Sequence, residues 1–275
     1  MSLIAIIGAG PTGAALAHKL AERSRVREIR LVDASGTIAA GKALDILQSG
    51  PIESFNTRVV GADTLHAAAG ADVVALADSA AGEEYTGDVA LGLLRKLQSS
   101  GVTAPIVFAG AGQREAMQLA ARELRLPAER VVGSAPLALE SALRALSGVI
   151  ADVSAVEVSL SVVGVPPKNA VIAWEEATLS GQPLTSVLAA HDVASLSARI
   201  RGLWPPGPYA LASAAARVVE ALTAGSRRRF SCFVDRGRGQ VVAMPVELAP
   251  GGVKRVIEPA LTRLERTALE SALEM

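Results

Sequence analysis

The strongest constraint on this fold is a glycine-rich turn near the start of the chain. The run Leu3-Ile-Ala-Ile-Ile7 predicts a buried strand, and Gly8, Gly10 and Gly13 follow it directly. An amphipathic segment comes next, so the glycines stand where a strand gives way to a helix. A strand, a turn with this glycine spacing and a helix are typical of the first crossover in a doubly wound α/β domain. We therefore predict an α/β fold.

The same turn predicts a dinucleotide-binding site. Gly8 permits the tight turn, Gly10 lets a pyrophosphate approach the backbone, and Gly13 lets the helix pack closely against the sheet. Pro11 and Thr12 occupy the first turn of the helix, where proline is tolerated and the free N–H groups favour negatively charged phosphates. The ligand that such a turn recognises is the pyrophosphate of a dinucleotide.

The nature of the dinucleotide follows from the second predicted strand. That strand, Leu31-Val32, ends on Asp33, where an acid accepts hydrogen bonds from the adenosine ribose and repels a 2′-phosphate. The acid predicts NAD rather than NADP. Proline in the turn also occurs in flavin-binding folds, which leaves FAD as a competing cofactor, although those folds usually end the second strand in glutamate. The expected NAD-binding residues are Gly8, Gly10, Pro11, Thr12, Gly13 and Asp33.

Charge and composition argue against several partners. The chain has 275 residues with 27 basic and 27 acidic side chains, which gives no electrostatic argument for nucleic acid or an anionic membrane surface. No apolar stretch reaches the length that spans a bilayer, and the start lacks the basic region of a secretory signal. The single cysteine, Cys232, allows no internal disulfide, and its apolar neighbours indicate a buried small side chain. We predict a cytoplasmic protein.

Strand-like and helix-like segments alternate over the first 147 residues, and the pattern then changes. Such alternation predicts a parallel, doubly wound Rossmann sheet with right-handed crossovers. The segment Val156–Val162 alternates apolar and polar residues, as a half-exposed antiparallel strand does. We predict a Rossmann domain over residues 1–147 and an α+β domain with antiparallel strands over 148–275. Expected strands are 3–7, 28–33, 57–60, 72–77, 104–109, 130–133, 156–162, 170–175, 229–234 and 240–248; expected helices are 12–24, 41–49, 86–99, 112–124, 136–146, 184–202, 208–223 and 258–273.

Four further segments carry a resemblance to a known family. They are Gly41–Pro51, Asp72-Val-Val74, Pro127–Gly133 and Val246–Val253. These segments occur in the order found in the NAD-dependent malate and lactate dehydrogenases, and the sequence resembles that family. The resemblance implies a two-domain fold, NAD as cofactor, and hydride exchange between a 2-hydroxy acid and its 2-oxo acid. It also implies a homodimer, because the helix that bears Gly41–Pro51 commonly lies at a dimer interface in that family.

The chain departs from the family where the chemistry would occur. Such a reductase needs a proton donor beside the carbonyl, a carboxylate that orients it, and arginines that hold the substrate. By resemblance the catalytic histidine falls on Pro166. The family motif that holds the orienting aspartate and a substrate arginine falls on Ala138–Ala142. Its acid, Glu140, comes one position later than the aspartate of the family. On a helix, one position turns the side chain by about 100°.

Two loops depart in the same way. The segment Asp78–Gly87, where the family has two arginines, contains none and carries Glu83 and Glu84 instead, which would repel a dicarboxylate. Gly110-Ala-Gly112 stands where the family has Thr-Asn-Pro. We therefore predict that ordinary malate or lactate turnover is lost.

Other residues could still supply proton transfer. Lys168 and Asn169 adjoin the lost histidine and, with Glu140 or Glu175, are candidates for a different site; a solvated turn is the simpler interpretation. We interpret His18, His66 and His191 as structural or surface residues, and no metal site is predicted.

Three interpretations of function stay open. The first is an oxidoreductase that acts on an altered small-molecule substrate. The second is a non-catalytic NAD(H)-binding sensor, scaffold or subunit partner. In the third, nothing binds and only the fold persists. The retained glycines and Asp33 count against the third.

Overall fold

The computed structural model describes residues 2–273, and its first half alternates strands and helices. The alternation arises because each apolar strand is followed by an amphipathic segment that returns over the sheet. The elements are β1 (Leu3–Ile7), α1 (Pro11–Glu22), β2 (Glu28–Val32), α2 (Gly36–Glu53), β3 (Arg58–Ala62), β4 (Val73–Leu76), α3 (Gly87–Ser99), β5 (Ile106–Phe108), α4 (Arg114–Glu123), β6 (Val131–Gly133) and α5 (Ala135–Ala151).

The six strands of this half form a parallel sheet in the order β3-β2-β1-β4-β5-β6. Successive residues of a strand face opposite sides of a sheet. Ile4 and Ile6 accordingly pack in one core cluster while Ala5 and Ile7 pack in another. Both faces are therefore buried, which explains the unbroken apolar run in β1. The predicted doubly wound Rossmann sheet is confirmed.

The second half adds shorter and mostly antiparallel strands. Its elements are β7 (Val158–Ser159), β8 (Val162–Val165), β9 (Asn169–Ile172), β10 (Thr178–Leu179), β11 (Gln182–Pro183), α6 (Leu184–Val187), α7 (Ala190–Arg199), α8 (Pro208–Ala224), β12 (Arg229–Asp235), β13 (Val241–Ala249), β14 (Gly252–Val256) and α9 (Arg263–Leu273). β12 pairs antiparallel with β6 and extends the sheet through β13, β8 and β9. The predicted α+β character with antiparallel strands is confirmed, and the sheet is continuous across the predicted boundary near the end of α5.

Several predicted element boundaries were wrong. The helix predicted over 41–49 is α2, which runs from Gly36 to Glu53 and includes Pro51. Its start is earlier because the backbone there lies directly on β3: a Cβ atom at Gly61 would sit 2.4 Å from the Ala40 nitrogen. Contact with the sheet thus holds residues that local propensity would release from the helix.

Three C-terminal predictions also need correction. The strand expected over 156–162 is divided between β7 and β8, which lie in different sheets. The helix expected over 184–202 breaks after α6 at Leu188, whose extended backbone carries a buried side chain into the core. The final helix begins at Arg263 rather than at 258, since Pro259 disfavours helix at the residue before it. No helix within the described range is long and apolar enough to cross a membrane.

Candidate functional site: the cofactor cleft

The glycine turn has the close backbone packing that the sequence predicts. Gly8 has a φ of +110°, which a residue with a side chain rarely adopts, and its N–H donates to the Val32 carbonyl at 2.7 Å. A Cβ at Gly13 would lie 2.0 Å from the Gly8 carbonyl oxygen. Only glycine at these positions lets α1 start directly above the end of β1.

Asp33 lies at the carboxyl end of β2 and is buried. Its Oδ2 accepts hydrogen bonds from the N–H groups of Ala9 at 2.9 Å and Ala80 at 2.8 Å, and its Oδ1 accepts from Ser35 at 2.9 Å. An ionised carboxylate offers about four acceptor positions. Three are taken by main-chain donors, so Asp33 here joins the glycine turn to the segment after β4.

The N-terminus of α1 is bonded to a carboxylate from elsewhere in the chain. Asp78, buried at the end of β4, accepts from the Thr12 N–H at 3.0 Å through Oδ2 and from the Gly13 N–H at 2.9 Å through Oδ1. Its main-chain carbonyl also accepts from the Gly10 N–H at 2.9 Å. Pro11 has no N–H and lies exposed at the start of the helix. The donors predicted for pyrophosphate are thus occupied by Asp78.

A second carboxylate closes the neighbouring part of the cleft. Glu84 accepts from the N–H groups of Ala111 at 2.9 Å and Gly112 at 2.7 Å, in the loop after β5. Its own segment folds back on itself, because the Ser79 N–H donates to the Glu83 carbonyl at 2.8 Å. Glu84, one of the two residues predicted to repel a dicarboxylate, therefore lies along the cleft between β4 and β5, whereas the Glu83 side chain is exposed.

Tyr85 lies half-buried beside Asp33. Burial, the charges of Asp33 and Asp78, and a hydrogen bond to Asp33 raise the pKa of Tyr85 to about 12. The phenol is therefore neutral at physiological pH, and it retains the proton that bonds to Asp33.

The position at which the resemblance implies the catalytic histidine holds a proline. Pro166 is buried just beyond the end of β8, and Pro167 and Lys168 follow it as exposed residues of the turn to β9. Asn169 begins β9 and is half-buried. Lys168 therefore lacks the burial that would desolvate its ammonium group for proton transfer.

Glu140 lies on α5, in the interior, and its partners are on β12 and its own helix. Its carboxylate accepts from the Ser231 N–H at 3.3 Å and lies 3.9 Å from the Arg144 guanidinium. Burial raises the pKa of Glu140 to about 7 against the opposing effects of Ser231 and Arg144. This is a carboxyl group that titrates near neutral pH, turned toward β12.

The remaining titratable candidates lie apart from the cleft. His66 and His191 are exposed, and His18 is half-buried beside Lys42 in a cavity of about 450 Å³ between α1, α2 and α8. Cys232 is fully buried, and burial raises its pKa well above the usual value. Across residues 2–273 no group of three or more His, Cys, Asp or Glu side chains is placed to hold a metal ion.

Two residues of the site were not predicted from the sequence. One is Asp78 as the partner of α1, and the other is Lys42, whose Nζ donates to the Ala9 carbonyl at 2.5 Å. The sequence carried a partial signal for Asp78. Asp78 follows the buried strand adjacent to β1, and the ends of adjacent parallel strands lie side by side.

The fold and this turn define a class of protein, an α/β dinucleotide-binding protein with an antiparallel extension of its sheet. A family model for the NAD-binding domain of lactate/malate dehydrogenase matches residues 2–87. The malate dehydrogenase of Roseobacter denitrificans is 30% identical over 298 residues, which cover 98% of this chain and 93% of that protein. The malate dehydrogenase of Thermomicrobium roseum is 29% identical over 288 residues, covering 97% and 93%.

Solved structures agree on the architecture. The minor L-lactate dehydrogenase of Enterococcus mundtii matches with a TM-score of 0.87 at 18% identity, over 99% of this chain and 95% of that one. The malate dehydrogenase of Aeropyrum pernix matches with a TM-score of 0.86 at 20% identity, over 98% and 95%. The chain belongs to the lactate/malate dehydrogenase family. NAD is its cofactor.

The cleft fits NAD in backbone shape but not in free hydrogen-bonding groups. The three glycines give the turn the tight backbone path of a dinucleotide-binding turn, and Asp33 lies buried at the carboxyl end of β2, where such folds bind a ribose. In this conformation, however, the donors at Thr12 and Gly13 are bonded to Asp78. NAD would be held by these residues only after the segment that begins at Asp78 has moved.

Proposed function

We propose that this chain binds NAD(H) at the carboxyl ends of β1, β2 and β4 and does not turn over malate or lactate at the rates of an ordinary dehydrogenase. The observation that carries the proposal is Pro166, buried where the family resemblance implies the catalytic histidine. A proline side chain has no proton to exchange. Loss of a general acid–base group typically costs about 10²–10⁴-fold in rate.

The substrate side of the cleft supports the same conclusion. The segment Asp78–Gly87 contains no arginine to hold a carboxylate, and Glu84 presents its own carboxylate to the loop after β5. Removing one partner of a buried charge pair costs roughly 2–5 kcal/mol of binding. A dicarboxylate would thus meet repulsion where the family chemistry needs attraction.

The test is a substrate assay at saturating NADH. With oxaloacetate or pyruvate, we expect the absorbance of NADH to fall at the rate of a blank without protein. Saturable turnover with either acid would refute the loss of activity. Calorimetric titration with NAD and NADH tests the binding half separately, and the absence of heat at millimolar ligand would refute it.

A second candidate is an oxidoreductase that acts on an altered substrate, and Glu140 is the observation that favours it. A buried carboxyl group that titrates near neutral pH is suited to proton exchange. A screen of carbonyl compounds with the wild type and Glu140→Gln distinguishes the two functions. Turnover that Glu140→Gln abolishes would support the second candidate, whereas a screen without turnover supports a sensor, scaffold or subunit partner.

We also propose a homodimer through α2. This helix exposes large apolar side chains, among them Leu44 at 56% and Ile52 at 81% of their full exposure. Tyr209, at the start of α8, is 78% exposed and shares the cavity beside α2 with Lys42. Several large apolar side chains exposed on one helix are typical of a protein interface, and the partner proposed here is a second copy of the chain.

The single thiol fits a reducing compartment. Cys232 is buried and forms no disulfide. We propose a cytoplasmic location on this ground.

A further inference from the structure

We propose that Asp78 is an internal substitute for the pyrophosphate of the cofactor, and that it keeps the cleft closed and lowers the affinity of the chain for NAD(H). This inference rests on the proposed binding of NAD(H) and adds the residue that competes with it.

The first argument is the geometry at the start of α1. Both carboxylate oxygens of Asp78 accept hydrogen bonds from successive main-chain N–H groups, those of Thr12 and Gly13. The helix has no acid in its own first turn, and its N-cap residue, Gly10, provides no side-chain acceptor. Asp78 therefore supplies the negative charge that the helix N-terminus attracts, in the manner of a bound phosphate.

The second argument is the space around the turn. A Cβ atom at Gly10 would lie 2.3 Å from the Ser79 carbonyl oxygen and 2.5 Å from the Asp78 Cγ. The room that a glycine leaves here is therefore filled by the chain itself. A pyrophosphate cannot approach this backbone while Asp78 and Ser79 remain in place.

The third argument is that one segment blocks both halves of the site. Ala80 donates its N–H to Asp33, the carboxylate expected to bind the ribose. Glu84, six residues beyond Asp78, is bonded to the N–H groups of Ala111 and Gly112. The segment 78–84 is thus fastened to the turn after β1, to the end of β2 and to the loop after β5.

These contacts make the closed cleft and bound NAD(H) mutually exclusive. The phosphates and the Asp78 carboxylate need the same two N–H donors, and their negative charges repel at short range. The apparent affinity for the cofactor is then reduced in proportion to the fraction of molecules whose cleft is open. Asp78 is a residue that sets affinity through this competition, and it takes no part in hydride transfer.

The test compares NADH binding by the wild type, Asp78→Ala and Asp78→Asn. A carboxylate at a helix N-terminus changes an equilibrium constant by about 2- to 30-fold. We expect Asp78→Ala to bind NADH tighter by a factor in this range and to unfold at a lower Tm without ligand. Asp78→Asn keeps the shape of the side chain while removing its charge, so it provides a second folded variant with a smaller gain in affinity.

Glu83→Gln is the matched control. Glu83 is exposed on the same segment, and the hydrogen bonds that fasten it are made by its main chain, so the substitution removes one negative charge without opening the cleft. We expect its NADH affinity and Tm to equal those of the wild type. A gain as large as that of Asp78→Ala would mean that net charge alone sets the affinity, which would overturn the inference.

The outcomes separate this inference from the proposed function. If the wild type and Asp78→Ala bind NADH equally well, NAD(H) binding stands and the role of Asp78 is refuted. If neither binds NADH, the proposed function fails and inorganic pyrophosphate decides the inference. A larger rise in Tm with pyrophosphate for Asp78→Ala than for the wild type would support it, and an equal rise or none would overturn it.

Discussion

Glu140 gives the protein a pH dependence that its surface carboxylates do not share. The group is 7% exposed on α5, and its stabilising contacts are the Ser231 N–H and the charge of Arg144. Burial outweighs both and raises the pKa from 4.5 to about 7 in the folded protein. The folded state thus holds this proton more tightly than the unfolded chain, in which the carboxyl group is solvated.

The magnitude and sign follow from this difference. A pKa raised from 4.5 to about 7 corresponds to roughly 3 kcal/mol of unfolding free energy. Below pH 4.5 both states are protonated, and the contribution is fully present. As the pH rises from 4.5 through about 7, the unfolded chain loses the proton first, and the contribution is lost. Glu140 therefore makes the protein less stable at pH 8 than at pH 5.

The measurement is urea unfolding of the wild type and Glu140→Gln at a series of pH values. Glutamine stays neutral and retains an oxygen that accepts from Ser231. The free energy of unfolding of Glu140→Gln minus that of the wild type should rise by up to about 3 kcal/mol between about pH 4.5 and pH 8. Glu123→Gln, an exposed position on α4, should show no such rise. A difference for Glu140→Gln that is constant with pH would refute the reasoning.

Two further predictions concern the dimer surface and the buried thiol. Leu44→Glu should convert a dimer to a monomer in sedimentation velocity, because the charge lies on the exposed apolar face of α2; an unchanged sedimentation coefficient would place the interface elsewhere. Cys232 should react with a disulfide reagent only as fast as the chain unfolds, since burial excludes the reagent and keeps the thiol protonated; rapid labelling of the native protein would contradict this.

Much of the fold could be predicted because the relevant signals are local. The apolar run of β1, the glycines after it and the amphipathic pattern of α1 lie within about twenty residues, and each acts through backbone geometry or burial. Boundaries failed where distant contacts decide, as in α2, whose backbone rests on Gly61 of β3. The break at Leu188 has the same cause, since a buried side chain outweighs helical propensity.

The candidate site divides along the same line. The sequence by itself determined which groups are available: the glycines of the turn, the carboxyl group of Asp33, and Pro166, whose side chain cannot titrate. Tertiary structure alone decided which groups meet. Asp78 and Thr12 are 66 residues apart in the chain, and their hydrogen bond exists because β4 pairs beside β1. The partner of a carboxylate depends on which strands are neighbours in the folded sheet, and a local sequence pattern does not specify the strand order.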